Sequence, residues 1–288
     1  MAIEAFAPAK INLTLHVTGQ RADGYHLLDS LVMLADVGDT VKVKKAAQTK
    51  LSVVGPMAKG VPVDQSNLVV KAANLLGLTA EITLHKTLPA MAGIGGGSSD
   101  AAATVRALCK LYNRPEPSVS ELLRLGSDVP VCMQPCFVRM RGIGDQIDRL
   151  GSSESWPMIL VNPGVSVSTP EVFSALSSRE NPAMDEPSLD WMDWASSVSW
   201  LSSQRNDMQD AAVKLQPVIG TVLAALSESV GCKLARMSGS GATCFAIFFD
   251  DALRNRALED LRRKFPSWWI ASTEDVGIKW HMKKCQSP

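Results

Sequence analysis

The sequence contains a glycine- and serine-rich turn whose residue types suit a phosphate group. Three consecutive glycines, Gly95 to Gly97, let the backbone approach a ligand closely because no Cβ atom stands in the way. An alternating strand pattern from Ala80 to His85 precedes the turn, and an apolar stripe of helical period follows it. The free N–H groups and the dipole at the start of such a helix attract anions. The order of strand, turn and helix therefore predicts an anion site at residues 89–99.

Two known phosphate motifs do not fit this turn. A P-loop needs a lysine directly after its last glycine, and no lysine follows these glycines. The dinucleotide fingerprint is nearly matched by Gly93 and Gly95, but Ser98 replaces its final glycine. Asn113 and the residues after it stand where that fingerprint expects an acidic residue. A tight structural connection and a dinucleotide-binding oxidoreductase remain the alternatives.

The composition is that of an ordinary globular protein. Lys and Arg together number 29, as do Asp and Glu, so no net charge draws the chain toward nucleic acid or an anionic membrane. We find no run of 18 apolar residues, which predicts a soluble, cytoplasmic protein without a membrane partner. The linker-like composition of residues 151–155 predicts a boundary between an N-terminal domain, 1–150, and a C-terminal domain, 151–288.

Several further elements can be predicted around the glycine turn. Alternating apolar residues from Ile11 to Val17 predict a strand with one face on the core, which puts Lys10 on the same face as Asn12 and Thr14. Asn67 begins a predicted helix that ends at Gly77.

The second half of the chain carries fewer signals. Ser118 and Glu121 predict a capping box. A second Gly/Ser turn at residues 238–241 precedes a predicted buried strand, 242–249. Residues 177–203 have weak periodicity and predict a surface insertion or a flap on the substrate side.

Three motifs in this order resemble the GHMP kinases, the family named for galactokinase, homoserine kinase, mevalonate kinase and phosphomevalonate kinase. They are Pro8-Ala9-Lys10-Ile11-Asn12, the turn at residues 89–99, and Ser238-Gly239-Ser240-Gly241-Ala242. The resemblance implies a two-lobed α+β architecture with the active site in the cleft between the lobes. It also implies an ATP-dependent small-molecule kinase that uses Mg²⁺, with the ATP loop and the catalytic residues in the N-terminal domain.

Within the family, Gly24-Tyr25-His26-Leu27-Leu28 and Gly126-Ser127-Asp128-Val129-Pro130 are similar to one branch. That branch phosphorylates the 2-hydroxyl of a cytidine-diphospho-methylerythritol in the non-mevalonate biosynthesis of isoprenoid precursors. Another member of the family, of the homoserine or mevalonate type, is the alternative.

The resemblance also assigns roles to individual residues. Lys10 and Asp128 would be catalytic, with Asp128 as the general base. Without the family pattern, Asp128 would be interpreted as a turn residue and Lys10 as a solvated strand lysine. The ATP-binding residues would be Asn67, Leu68, Lys86, Pro89, Ala90, Met91, Ala92, Gly93, Ile94, Gly95, Gly96, Gly97, Ser98 and Ser99. The substrate-binding residues would be Asn12, Tyr25, His26, Phe173, Gly239 and Ser240, with Tyr25 and Phe173 on opposite faces of the cytosine. The Mg²⁺ ligands stay open, with Ser99 and Asp100 as candidates.

Overall fold

The computed structural model describes residues 1–134, 136–151, 156–186 and 193–274. Residues 152–155 of the predicted linker, part of the 177–203 segment and the tail from 275 onward lie outside these residues. The chain divides into two compact units, each made of several chain segments. Unit 1 consists of Met1–Lys10, Val37–Ala90 and Gly95–Gln134. Unit 2 consists of Ile11–Asp36, Met91–Ile94 and the described residues within Pro135–Pro288.

Strands and helices alternate irregularly along the chain, as expected for an α+β protein. The strands are β1 (Ala2–Asn12), β2 (His16–Gln20), β3 (His26–Lys45), β4 (Lys50–Val54), β5 (Ala80–His85), β6 (Phe137–Gly142), β7 (Gln146–Gly151), β8 (Met158–Asn162), β9 (Cys232–Met237), β10 (Cys244–Phe248) and β11 (Trp269–Thr273). The helices are α1 (Leu68–Leu76), α2 (Gly96–Tyr112), α3 (Val119–Leu122), α4 (Val129–Cys132), α5 (Thr169–Ser174), α6 (Trp194–Ser203), α7 (Gln209–Leu215), α8 (Val218–Ser227) and α9 (Asp251–Lys264).

In unit 1, a small sheet and two helices enclose an apolar core. The end of β3 pairs antiparallel with β5, and β4 pairs parallel with β5. Strand residues such as Val41 and Ile82 pack against Val69 of α1 and Leu108 of α2. Helix α1 has the predicted ends: the Asn67 side chain caps its first turn, and Gly77 closes it in the left-handed conformation. The predicted strand from Ala80 to His85 is likewise confirmed.

In unit 2, two sets of antiparallel strands carry the structure. The start of β3 pairs with β2 and with β6, and β6 pairs with β7. A four-stranded sheet has the order β11-β8-β10-β9. Its core-facing side chains pack against α7, α8 and α9 through residues such as Met208, Val222 and Leu258. Strand β10 confirms the buried strand predicted over residues 242–249.

The N-terminal strand differs from its prediction. The structure ends β1 at Asn12 and starts β2 at His16, and both the apolar and the polar residues of this stretch are buried. The polar side chains tolerate burial because they have partners. For example, Thr14 Oγ1 accepts a hydrogen bond from the Leu31 N–H at 2.8 Å. The interpretation of Lys10 as a solvated lysine is wrong, since only 4% of its surface is exposed.

Two long elements were not predicted. Strand β3 runs for 20 residues, whereas the sequence shows only a short β-like run of apolar residues around Val41 to Val43. Helix α6 lies inside the 177–203 segment, where the sequence shows only weak periodicity.

The division into domains 1–150 and 151–288 stays a prediction, because units 1 and 2 interleave along the chain and residue 150 lies within unit 2. Among the described residues, no helix combines the length and apolar character that crossing a membrane requires.

Candidate active site

The glycine turn provides the start of helix α2 in unit 1. Gly95 caps the helix with φ 61°, a left-handed conformation that glycine adopts without strain. The helix begins at Gly96, and its first intrahelical bond joins the Ser99 N–H to the Gly95 carbonyl at 2.8 Å. The N–H groups of the first turn have no intrahelical acceptor, so they are available to an anion. The predicted order of strand, turn and helix is therefore confirmed.

Lys10 and Asp128 meet beside this helix start, also within unit 1. Lys10 Nζ donates to Asp128 Oδ2 at 2.8 Å, with 5% and 29% of the two side chains exposed. Gly95 lies against the Lys10 stem, because a Cβ atom at Gly95 would stand 3.0 Å from the Lys10 Cβ. Asp128 immediately precedes α4 but makes no side-chain cap bond to it, which leaves its carboxylate free for Lys10. An ammonium group, a carboxylate and a helix N-terminus thus converge in one place.

A second group of charges lies buried under the same helix start. Lys86 Nζ donates to Asp100 Oδ2 at 2.8 Å and to the carboxylate of Asp39. Burial opposes the charge on Lys86, but Asp100 and Asp39 outweigh it and raise the pKa of the lysine. Burial raises the pKa of Asp100 to about 7. The positive charge of Lys86 opposes this rise in pKa, and the negative charge of Asp39 adds to it. This triad ties the end of β5 and the middle of β3 to the first turns of α2.

The triad changes the interpretation of Lys86. Its ammonium group is buried and engaged by both carboxylates, and a Cβ atom at Gly96 would stand 3.6 Å from its Nζ. Lys86 therefore supports the helix start directly, while its contact with ATP stays a prediction. Sequence reasoning missed Asp39, because an isolated aspartate within a strand gives no local sign of a distant lysine.

Two further predicted ATP-binding residues, Asn67 and Leu68, lie in unit 1. The Asn67 side chain is engaged by local structure: Oδ1 accepts from the Val69 N–H at 2.9 Å, and Nδ2 donates to the Pro62 carbonyl at 2.7 Å. Leu68 lies beside the glycine turn, since a Cβ atom at Gly97 would stand 3.6 Å from its Cδ1. Leu68 is thus placed near the helix start, whereas Asn67 acts there as a helix cap.

In unit 2, the second Gly/Ser turn packs against the first part of the glycine turn. Ser238 Oγ donates to the Gly93 carbonyl at 3.1 Å and accepts from the Asn12 N–H at 3.0 Å. A Cβ atom at Gly93 would stand 2.6 Å from the Ser238 and Gly241 carbonyl oxygens, so no larger residue fits there.

The two predicted substrate residues of this second turn have their own partners. Asn206 holds the turn by donating to the Gly239 carbonyl at 2.9 Å. Ser240 Oγ and Thr169 Oγ1 lie 2.7 Å apart. The structure thus brings Asn12, Gly93 and Gly239 together within unit 2.

The aromatic residues predicted to hold a base also lie in unit 2. His26 and Phe173 stack with ring centroids 4.1 Å apart and an interplanar angle of 8°. Tyr25 is 61% exposed. Burial first, and then the charge of Arg179, lowers the pKa of His26. One face of Phe173 is therefore covered by His26, and a base held between Tyr25 and Phe173 stays a prediction.

Several predicted site residues carry buried polar atoms that lack a hydrogen-bond partner within the described residues. These atoms are Asn12 Oδ1, His26 Nε2, Ser99 Oγ and Asp100 Oδ1. A buried polar atom without a partner costs about 1 to 3 kcal/mol, so native proteins seldom leave one unsatisfied. Such atoms mark places where a ligand can supply the missing hydrogen bond.

The sequence matches the descriptions "GHMP kinases N terminal domain" over residues 67–147 and "GHMP kinases C terminal" over residues 182–267. This chain belongs to the GHMP kinase family. It is accordingly an ATP-dependent small-molecule kinase with the family's α+β fold. This membership favours the kinase interpretation over the dinucleotide-binding oxidoreductase.

Relatives and solved structures agree with this membership. A 4-diphosphocytidyl-2-C-methyl-D-erythritol kinase of Cereibacter sphaeroides is 50% identical over 277 residues, 95% of this GHMP kinase and 99% of the relative. A protein of the same name from Ruegeria pomeroyi is 50% identical, covering 94% of this chain and 98% of the relative. A crystal structure of 4-(cytidine 5'-diphospho)-2C-methyl-D-erythritol kinase superimposes with a TM-score of 0.76 at 29% identity, over 94% of this chain and 99% of that one.

A more distant neighbour shares only the fold. The crystal structure of homoserine kinase from Cytophaga hutchinsonii matches with a TM-score of 0.68 at 18% identity, over 96% of both chains.

Proposed function

We propose that this kinase transfers the γ-phosphoryl group of ATP to the 2-hydroxyl of 4-diphosphocytidyl-2-C-methyl-D-erythritol, in the non-mevalonate biosynthesis of isoprenoid precursors. The Lys10–Asp128 pair at the start of α2 is the observation that carries the phosphoryl-transfer half of this proposal. The relatives at 50% identity that bear this kinase name support the choice of substrate.

Asp128 is suited to take the proton of the attacking hydroxyl. Its Oδ2 accepts from Lys10, and no described residue donates to its Oδ1, which can therefore face the substrate. As the substrate oxygen bonds to the γ-phosphorus, its proton moves to Asp128, the bond from that phosphorus to the β–γ bridging oxygen breaks, and ADP leaves. Lys10 stabilises the negative charge of the transferring group, and the N–H groups of α2 hold the phosphates.

The described residues suit a magnesium ion that arrives with ATP. They include no cluster of three or more His, Cys, Asp or Glu side chains that could hold a metal by themselves. Mg²⁺ commonly keeps waters and takes most of its other ligands from substrate phosphates, so a site with few protein ligands is adequate. Ser99 Oγ, a buried hydroxyl without a partner, is the proposed protein ligand. Asp100 is the poorer candidate because Lys86 already engages its carboxylate. The bound ion would neutralise charge on the phosphates.

Residues of unit 2 are proposed to bind the cytidine diphosphate. His26 Nε2 lacks a partner, and a cytosine ring carries both donors and acceptors that can supply one. Tyr25 and Phe173 offer aromatic faces for the base. Asn12 Oδ1, together with Gly239 and Ser240, would contact the remainder of the substrate. A cytoplasmic location and the absence of nucleic-acid or membrane partners stay predictions from composition.

A direct assay tests the substrate. The purified chain is incubated with ATP, Mg²⁺ and one of three alcohols: 4-diphosphocytidyl-2-C-methyl-D-erythritol, homoserine or mevalonate. ADP release should depend on the cytidine-linked alcohol. Turnover with homoserine or mevalonate alone would show that this kinase belongs to another branch of its family.

A further inference from the structure

One buried arginine connects the two elements that carry Lys10 and Asp128. Arg106 Nη2 donates to the carbonyl of Phe6 at 2.7 Å, and its Nη1 donates to the carbonyl of Cys132 at 2.9 Å. Phe6 and Lys10 lie on the same strand, β1. Cys132 is the last residue of α4, the short helix that begins directly after Asp128. All of these residues belong to unit 1.

The two acceptors are coupled closely to the two reacting side chains. The Cys132 N–H donates to the Asp128 carbonyl at 3.2 Å, so a movement of the Cys132 end of α4 is transmitted to Asp128. Strand β1 is a continuous extended segment from Phe6 to Lys10. The guanidinium therefore fixes the spacing between β1 and α4, and the Lys10–Asp128 distance of 2.8 Å depends on that spacing.

Arg106 itself sits on α2, the helix whose first turn forms the anion site. Arg106 thus connects the helix that forms the phosphate site to the segments that carry the Lys10 ammonium group and the Asp128 carboxylate. Burial lowers the pKa of Arg106 to about 10, which still leaves the guanidinium charged, with all its donors, at neutral pH. A planar guanidinium holds two acceptors at a fixed separation, which a lysine ammonium does not.

We propose that Arg106 is a positioning residue for phosphoryl transfer: it sets the placement of the Lys10 ammonium group and the Asp128 carboxylate relative to the start of α2. It donates to the backbone and does not contact the substrate. This inference rests on the proposed function, because it takes the Lys10–Asp128 pair as the group that carries out the transfer.

Arg106→Met removes both donors and keeps an unbranched apolar stem in the helix. We expect kcat to fall about 10- to 100-fold, since a displacement of about 1 Å at reacting groups costs about that much. The KM values for ATP and for the alcohol should stay unchanged, because neither the helix start nor the residues of unit 2 lose a contact. Arg106→Lys, which can reach one carbonyl, should recover part of the lost kcat.

Arg236→Met is the matched control. Arg236 is also buried, and it donates to the carbonyls of Leu13, Leu201 and Gln204 at 2.7 to 2.8 Å. It makes no contact with Lys10, Asp128 or α2 among the described interactions. The control should lose thermal stability as Arg106→Met does, with kcat retained. An equal fall of kcat in the control would assign the Arg106 effect to general destabilisation and overturn the proposal.

A double-mutant cycle separates this inference from the proposed function. Once Asp128→Asn has removed the base, adding Arg106→Met should lower single-turnover rates little further, because the pair that Arg106 positions no longer functions. The positioning role would be overturned if Arg106→Met lowered the single-turnover rate by the same factor with Asp128 present and with Asp128→Asn. A normal kcat of folded Arg106→Met would overturn it as well. If Arg106→Met does not fold, the Arg106→Lys comparison decides alone: unchanged kcat overturns the role, and reduced kcat at unchanged KM supports it. Normal turnover of Asp128→Asn would instead overturn the role of Asp128 as the base, whereas the proposed function fails only if the unsubstituted kinase does not turn over the cytidine-linked alcohol.

Discussion

Replacing Asp100 with asparagine should stabilise the protein above neutral pH. In the folded chain, burial raises the pKa of this carboxyl to about 7 from a usual 3.8. A carboxyl whose pKa is raised by folding contributes stability in its protonated form. That stability is complete below about pH 4 and is lost as the pH rises through about 7. The pKa difference corresponds to about 4 kcal/mol of folding free energy.

The size of the effect follows from what asparagine keeps and loses. The substituted side chain would stay neutral and still offer an oxygen to Lys86, so the pH-dependent loss disappears. Its amide N–H groups would point to the place of Asp100 Oδ1, which has no described partner, and this costs about 1 to 3 kcal/mol. The net expectation at about pH 8 is a gain of about 1 to 3 kcal/mol, the difference of these two contributions.

Urea denaturation at several pH values measures this effect. The free energy of unfolding of D100N minus that of the parent protein should grow by about 3 kcal/mol between about pH 5 and about pH 8. Titrating groups that do not interact with Asp100 are common to both proteins and cancel in this difference. A difference that is constant with pH, or that falls as the pH rises, would refute the assignment of a raised pKa to Asp100.

Two further predictions concern the ligand sites. Gly93→Ala should lower the free energy of unfolding by about 1 to 3 kcal/mol and weaken ATP binding, because its Cβ would stand 2.6 Å from two backbone oxygens. Gly164→Ala is the control: Gly164 has φ 80° and no atom within 4 Å of the added Cβ. Its loss of unfolding free energy in the same urea titration gives the cost of a left-handed alanine without a steric clash. His26→Phe keeps a ring stacked on Phe173 but removes Nε2, so it should raise the KM for the cytidine-linked alcohol about 5- to 150-fold, the equivalent of one buried hydrogen bond, with the KM for ATP unchanged. An unchanged KM in steady-state kinetics would remove His26 from the base site.

Much of the structure around the glycine turn could be predicted because its signals are local. A glycine run followed by a helical stripe defines the helix start, and Asn67 and Gly77 define the ends of α1. These patterns depend on backbone freedom and on hydrogen bonds between sequence neighbours.

The unpredicted features depend on partners that are distant in sequence. Strand β3 was missed because polar residues interrupt its apolar pattern. Asp29 is paired with Arg139, and Asp39 with Lys86. Arg106 was missed for the same reason, since its acceptors are carbonyl groups of β1 and α4. From a single sequence, a charged residue is expected to avoid burial, because burying an unpaired charge costs free energy. The distant partner that offsets this cost in the folded protein cannot be identified from the sequence alone.

The most direct test of the central claim is the turnover of Asp128→Asn with ATP, Mg²⁺ and 4-diphosphocytidyl-2-C-methyl-D-erythritol, measured together with its affinity for ATP. Asparagine keeps the shape of the side chain and its hydrogen bond with Lys10, but it cannot accept the proton of the hydroxyl group. Turnover should fall about 10²- to 10⁴-fold, while ATP binding is retained because the start of α2 is untouched. Near-normal turnover would contradict the role of Asp128 as the base.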